Sequence, residues 1–286
     1  MNALQPGSPE WVRLVSSSKV PAILGLSPWQ SPYALWMEMS GRVPHEQSDS
    51  PAIRRGNLLE NAVLDWWESE HTLRSMRRQV SRRLGDWGIA TLDGLSDRGD
   101  VIEAKTSSSW DEWGEPGTDQ VPVHYLAQVL WQLALTTTAE RAYIAVLGPF
   151  LDFREYVIER DDYMEDIEAT VRAARRFYDS LDADEPPPLD DHVATIATLR
   201  RLHPDIDRGQ VAVIDDDLAT EYVAADLAAR EADARKRAAQ ALVLNAAGDA
   251  QYIESTSGLR VARRQPGRSG VSLVRVAKAV PNGAAA

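Results

Sequence analysis

Two short apolar runs, "ATLDG" (90–94) and "DVIEAK" (100–105), flank "LSDRG" and read as neighbouring strands of an antiparallel hairpin. This pairing constrains the fold most, because it decides which side chains can meet. Side chains alternate faces along a strand, so Glu103 and Lys105 point the same way, roughly 7 Å apart. With Gly94 opposite Asp100, Asp93 faces Val101 and Thr91 faces Glu103, and any odd-length loop centred here keeps that parity. Asp93, Glu103 and Lys105 then share one face, with Asp93 diagonal to Glu103. Two carboxylates aimed at one point repel unless something positive sits between them. Oxygen ligands so arranged suit Mg²⁺ or Mn²⁺. A lysine beside them can orient a water or stabilise developing phosphate charge. Taken alone, the residues also describe a solvent-facing strand with a weak surface ion pair.

The flanking segments alternate helix and strand. "VSSSKVPAILGLSPWQSPYALWMEMSG" (15–41) reads as two short helices, with serines able to cap "KVPAILG" and Gly25 and Gly41 as stops. "PAIRRGNLLENAVLDWWESEH" (51–71) carries Leu59, Ala62, Val63 and Trp66 at helical spacing, with Glu60 beside that stripe. Residues 78–83 and 88–94 read as strands. "VPVHYLAQVLWQLALT" (121–136) is a helix with core stripe Leu126, Val129, Leu130 and Leu133, and an edge of Tyr125, Gln128 and Gln132. Two more strands, "RAYIAVLG" and "DFREYVIE", precede a helix over 161–181. The "EPPP" run (185–188) cannot continue a helix and marks a boundary. The expected division is a core over 1–185 and a C-terminal module over 191–286. That module holds a short helix (191–203), an Ala-rich helix over 215–247 roughly 45 Å long, and strands "QYIEST", "LRVARR" and "VSLVRV". "PNGAAA" reads as a disordered end.

Composition excludes several chemistries. The chain has 286 residues and no cysteine, so disulfides, thiolate zinc sites, iron–sulfur clusters and a cysteine nucleophile are all ruled out. The absence of cysteine suits a reducing cytosol, and a cytoplasmic location is expected. No apolar run approaches ~18 residues, so no membrane span is expected, and the first twenty residues lack a signal peptide's apolar centre. The five histidines show no metal-ligand spacing. The net charge of −12 argues against a general nucleic-acid coat protein. Its acidity is concentrated in the middle third, where residues 101–190 hold 7 Lys and Arg against 19 Asp and Glu. In the first third, "RSMRRQVSRR" (74–83) packs five arginines into ten residues, a solvated face or a track for a phosphate backbone. Trp110 and Trp113 either stack on bases or, as expected, pack under a loop.

The composite D-x₉-E-x-K is the signature of the PD-(D/E)XK nuclease fold. Four blocks, "SSSKVPAILGLSPWQSPYALW", "RRGNLLENAVLDWW", "ATLDGLSDRGDVIEAKTSS" and "VPVHYLAQVLWQLALT", occur in order between Ser8 and Asp179. In these the chain resembles the YqaJ-like viral recombinase nucleases, the phage group that includes lambda exonuclease. The resemblance implies that Asp93, Glu103 and the Ala104 carbonyl bind Mg²⁺, with Mn²⁺ as substitute, and that Glu60 completes the metal site. It implies that Lys105 assists the attacking water, and that Gln128 and Tyr125 line the site and steady the scissile strand. Ser18 falls where the family holds the DNA 5′-phosphate. The family's arginine partner stands further upstream of that serine than Arg13 does here.

The expected fold is α/β: a PD-(D/E)XK core with a mixed central sheet flanked by helices, then a long-helix and small β module for assembly or partner docking. The expected activity is a Mg²⁺-dependent DNA exonuclease, acting 5′→3′ on double-stranded ends to leave a 3′ single strand. A homo-oligomer and a single-strand annealing protein are the expected protein partners. An endonuclease on the same fold, or a DNA-end-binding protein without catalysis, are the alternatives.

Overall fold

The computed structural model describes residues 8–46, 49–72, 75–267 and 270–275. The end expected to be disordered, 281–286, lies outside the described residues, as does Arg74 of the basic run. Helices α1 (Pro9–Arg13), α3 (Pro32–Met39) and α4 (Pro51–Glu70) each begin at a Ser-Pro step. The three serine hydroxyls accept backbone N–H groups of Trp11, Ala34 and Ile53. A proline at the first helical position sets φ without wasting a donor. Between α1 and α3 lie strand β1 (Val15–Ser16) and the single turn α2 (Val20–Ile23). The serine cap expected for α2 is absent, because Lys19 holds the N-cap position and Ser18 Oγ lies 3.1 Å from Ser16 Oγ. The buried Lys19 ammonium instead donates to the carbonyls of Trp11, Val12 and Leu14 and closes the end of α1.

Strands β2 (Met76–Leu84), β3 (Gly88–Ser96), β4 (Val101–Thr106), β5 (Arg141–Leu147) and β6 (Phe153–Glu159) join β1 in one mixed sheet. β4 and β5 run parallel, β5 and β6 antiparallel. β2 covers one edge of β3 along its length. The other edge is shared: β1 pairs in parallel at Gly88 and Ile89, and β4 pairs antiparallel at Gly94 and Leu95. Residues 90–93 of that edge are left without a ladder partner.

Helices cover both faces. Val63, Leu64 and Trp67 of α4 pack on Ile102, Ala145 and Leu147. On the opposite face, α5 (Val123–Leu135) and α6 (Met164–Ala183) form the larger core with Val101, Ile144 and Val146. Consecutive β4 residues Val101 and Ile102 enter opposite cores, as a strand buried on both faces requires. Trp131 of α5 is fully buried and donates Nε1–H to the Ile89 carbonyl, tying helix to sheet. Trp110 and Trp113 pack at the edge of this core, the packing role expected for them.

The chain divides into two units, Met1–Ile206 and Asp207–Ala286. The first runs past the proline boundary expected at 185, because α7 (Val193–Leu202) packs within it. Thr195 of α7 is buried, with Oγ1 2.6 Å from Ser31 Oγ, and Arg201 pairs with Glu46. The second unit holds α8 (Asp216–Ala247), capped by Asp215, and an antiparallel sheet of β7 (Tyr252–Glu254), β8 (Arg260–Gly267) and β9 (Gly270–Arg275). No residue of α8 is buried.

Candidate active site

The β3–β4 hairpin closes one residue later than the sequence suggests. Ser96 N–H donates to the Asp100 carbonyl, and Ser96 Oγ accepts from the N–H groups of Arg98 and Asp100. These bonds confine the loop to 96–100, so Leu95 pairs with Val101 and Gly94 with Ile102. The expected Gly94–Asp100 register is therefore shifted by two, which preserves parity and brings Asp93 directly opposite Glu103 instead of diagonal to it.

The ladder ends there. Asp93 Oδ2 accepts the Ala104 N–H at 2.9 Å, taking the place of a backbone carbonyl. Ala90, Leu92 and Leu95 all enter the larger core, so the step from 92 to 95 breaks the period of two at Asp93 and Gly94. Across β2, Gln79 stands opposite Asp93 with a left-handed φ of 52°. Gly94 permits the close fit: a Cβ there would meet Met76 Sδ at 2.7 Å and Ile102 Cβ at 3.1 Å. A flat two-strand picture misses this irregularity, which is what turns the Asp93 carboxylate towards β4.

Glu103 is only 2% exposed and accepts three side-chain donors. Lys105 Nζ and Gln128 Nε2 both reach Oε1 at 2.5 Å, and Gln132 Nε2 reaches Oε2 at 2.6 Å. Lys105 also donates to Gln128 Oε1 at 3.2 Å and lies 5.0 Å from the centre of the Tyr125 ring. The α5 edge of Tyr125, Gln128 and Gln132 therefore faces the site. Sequence reasoning places Gln132 on that edge but assigns it no role. The signal for one is its position a helical turn beyond Gln128.

Burial pushes the Asp93 carboxyl well above the usual carboxylate range, the Glu103 charge raises it further, and Lys105 acts the other way. Burial alone would lower the Lys105 ammonium, but Glu103 and Asp93 outweigh it and hold Lys105 above its ordinary value. Two buried carboxyl groups thus share one fixed cation, and ionising both would leave excess negative charge between them. Hard carboxylate oxygens with a charge deficit between them fit a divalent cation such as Mg²⁺. Glu60, half-buried on α4, accepts a hydrogen bond at Oε1 from Gln79 Nε2 at 2.6 Å and contributes only a minor repulsion to Asp93. Among the described residues, no three carboxylate or histidine side chains converge closely enough to hold a metal by themselves.

The expected DNA-binding residues separate. Tyr125 is at the site. Ser18 lines a cavity of about 800 Å³ with Trp11, Glu38, His45, Asn57 and Arg201. Arg13 does not line that cavity and is ion-paired with Asp182 on α6. The basic run alternates along β2, with Arg77 and Arg83 exposed and Arg78 paired with Asp65 and Glu68.

Residues 10–139, which contain every residue of this carboxylate cluster, match the family model of the YqaJ-like viral recombinase domain. The uncharacterized protein YqaJ of Bacillus subtilis (strain 168) is 31% identical over 159 residues, 54% of this chain and 49% of that protein. The chain thus spans about half the length of the curated relative it matches. Among solved structures, the alkaline exonuclease LHK-Exo from Laribacter hongkongensis aligns with a TM-score of 0.48 at 20% identity, covering 61% of this chain and 90% of that one. A phage related exonuclease from Haemophilus somnus 129PT aligns with a TM-score of 0.45 at 17% identity, covering 60% and 96%.

Proposed function

We propose, from the match of residues 10–139 to the family model of the YqaJ-like viral recombinase domain, that the chain is a Mg²⁺-dependent DNA exonuclease acting 5′→3′ on double-stranded ends. The observation that carries the reading is the buried Asp93–Glu103 pair with Lys105 bonded into it. Asp93, Glu103 and the Ala104 carbonyl would hold the metal, with Glu60 able to join by releasing Gln79. When bound, the metal would lower the pKa of a coordinated water and stabilise the leaving oxygen of a phosphodiester. Gln128 and Gln132 fix the Glu103 carboxylate from two sides. Lys105, kept protonated, presents an ammonium to the developing phosphate charge or to the attacking water. Tyr125 stands beside Lys105 as a wall for the scissile strand.

Ser18 would meet the terminal phosphate, a role that rests on the family's pattern, because the single turn α2 is too short to supply a helix-terminus site. The second unit would serve assembly or docking of a recombination partner such as a single-strand annealing protein. Among the described residues no helix is long and apolar enough to cross a membrane.

The deciding experiment follows end-labelled linear duplex and closed-circular plasmid, with and without Mg²⁺, comparing 5′-phosphate with 5′-hydroxyl ends. Stepwise loss of the 5′ label and an intact plasmid are expected. Cleavage of the closed circle would identify an endonuclease, and binding without cleavage would identify an end-binding protein.

A further inference from the structure

The β5–β6 turn carries the most exposed aromatic residue in the first unit. Phe150 is 104% exposed relative to a free residue, and the adjoining Leu151 is 69% exposed. Their φ values are 60° and 64°, both in the left-handed region. Asp152 N–H donates to the Pro149 carbonyl and Gly148 N–H to the Asp152 carbonyl, which closes a tight hairpin turn. Two successive left-handed residues make a turn of the type that Asn-Gly occupies at little cost. Here two bulky residues accept the backbone penalty, and Phe150 buries nothing in return. Backbone strain combined with an unburied ring points to a function for the ring.

The turn is fixed to the carboxylate site. β5 runs parallel to β4 with Val146 beside Lys105 and Leu147 beside Thr106, so the turn leaves the sheet at the end that presents Lys105. Ser107 N–H donates to the Leu147 carbonyl. Tyr125 touches Trp113 with ring centres 5.6 Å apart, and Trp113 touches Trp110 at 6.2 Å. Trp110 lies hard against Gly148, where a Cβ would come within 1.9 Å of its ring. Arg154 covers the Trp110 ring at 3.9 Å and neutralises Asp152 at 2.9 Å. An aromatic chain thus joins Lys105 to the base of the turn and holds it in place.

We propose that Phe150 is a substrate-positioning residue whose ring stacks on an unpaired base of the nucleic acid at this end of the sheet. The inference rests on the nuclease reading of the site. Two adjoining apolar side chains are too small for a stable protein interface, which takes roughly 800 Å² from each partner. One flat, fixed ring matches one base, and such stacking tolerates any sequence.

The test uses the full chain with duplex ends carrying 2-aminopurine in the terminal nucleotides, in Ca²⁺ buffer without Mg²⁺ or Mn²⁺. Wild type and Phe150→Tyr should quench the probe. Phe150→Asn, which suits a left-handed φ and so keeps the turn, should lose the quench and raise Kd about 5- to 100-fold. In Mg²⁺ its defect should fall on KM more than on kcat. Wild-type quench and affinity in Phe150→Asn would overturn the inference, as would a change in self-association with unchanged DNA affinity. If wild type fails to cleave DNA yet shows this binding pattern, the nuclease reading fails and the stacking role stands. If cleavage needs Asp93 and Glu103 while Phe150→Asn behaves as wild type, only the stacking role fails.

Discussion

Trp36, Trp67 and Trp131 of the first unit have at most 1% of their surface exposed, whereas Leu218, Tyr222, Val223 and Leu227 of α8 are each more than half exposed. The difference decides where chemistry can reside. Holding Glu103 between Lys105, Gln128 and Gln132 needs a strand and a helix that cannot shift, and the packed core around Trp131 provides that. The 32-residue α8 has alanine propensity, an Asp215 cap and an Arg230–Asp226 pair, but no buried face. Val243 and Leu244 near its C-terminal end are partly covered, while Leu218, Tyr222, Val223 and Leu227 stay largely exposed. Under the proposed reading, the first unit would position groups and the second would meet a partner.

The largest expected effect tests that division directly. Asp93→Asn and Glu103→Gln should each lower cleavage on the order of 10³-fold or more, since groups acting as a unit fail together. Gln132→Leu, which removes only one support of Glu103, should cost about 10- to 100-fold. A chain ending at Ile206 should keep Mg²⁺-dependent cleavage of short duplexes, measured beside its circular dichroism. If that shortened chain folds and is inert, the second unit completes the active site and the contrast between the units collapses.

Stability should divide the same way. Trp131→Ala removes a fully buried indole and its bond to the Ile89 carbonyl, and should cost about 3–5 kcal/mol in urea unfolding. Leu227→Ala on α8 should stay within about 0.5 kcal/mol at concentrations where the protein is monomeric. A loss at Leu227 comparable to that at Trp131 would mean that α8 has a buried face after all.

The hairpin shows how far local rules reach. Alternation of side chains depends only on the strand itself, so the shared parity of Asp93, Glu103 and Lys105 follows from the sequence alone. The register does not, because it depends on Ser96 holding its own loop. Nor does the break at Asp93, where a side chain replaces a ladder carbonyl and Gln79 yields across the sheet. The α5 edge is legible from helical spacing, yet Gln132 gains a role only because the fold brings Glu103 within its reach. Proline chemistry places a boundary at 185–188, but the first unit runs past it, because a proline run ends a helix without forbidding the next one, α7, from packing back. The left-handed Phe150–Leu151 turn carries no glycine or asparagine to announce it.

A smaller effect should follow pH in the metal-free protein. The folded-state pKa of Asp93 is raised by burial and by Glu103, so the native state holds that proton more tightly than the unfolded chain. The group therefore does not oppose folding below the ordinary carboxylate pKa. It destabilises progressively as pH rises towards the raised value, and fully above it. Asp93→Asn keeps an oxygen to accept the Ala104 N–H and removes the charge. It should raise Tm by a few degrees at neutral pH, with the difference from wild type vanishing below about pH 4. Mn²⁺ should raise the Tm of wild type at neutral pH and leave Asp93→Asn nearly unmoved. A Tm gain of equal size at acid and neutral pH would show that the Asp93 charge carries no penalty.

The smallest effect belongs to the surface of α8. Leu218, Tyr222, Ala225 and Ala229 follow heptad spacing, with Lys236 interrupting further along, so any seam would be short and weak. Within a monomer, Tyr222→Asp exchanges one solvent-facing group for another and should leave unfolding within about 0.5 kcal/mol of wild type. Its consequence should appear only with concentration. If α8 joins copies of the chain, sedimentation velocity across a dilution series should show wild type associating and Tyr222→Asp remaining monomeric, with hydrolysis of short duplexes unchanged. If both remain monomeric at all concentrations, the exposed stripe does not join copies of this chain, and a different recombination protein becomes its proper test. If Tyr222→Asp unfolds the monomer, the stripe is internal packing, and the second unit resembles the first more than its exposed surface implies.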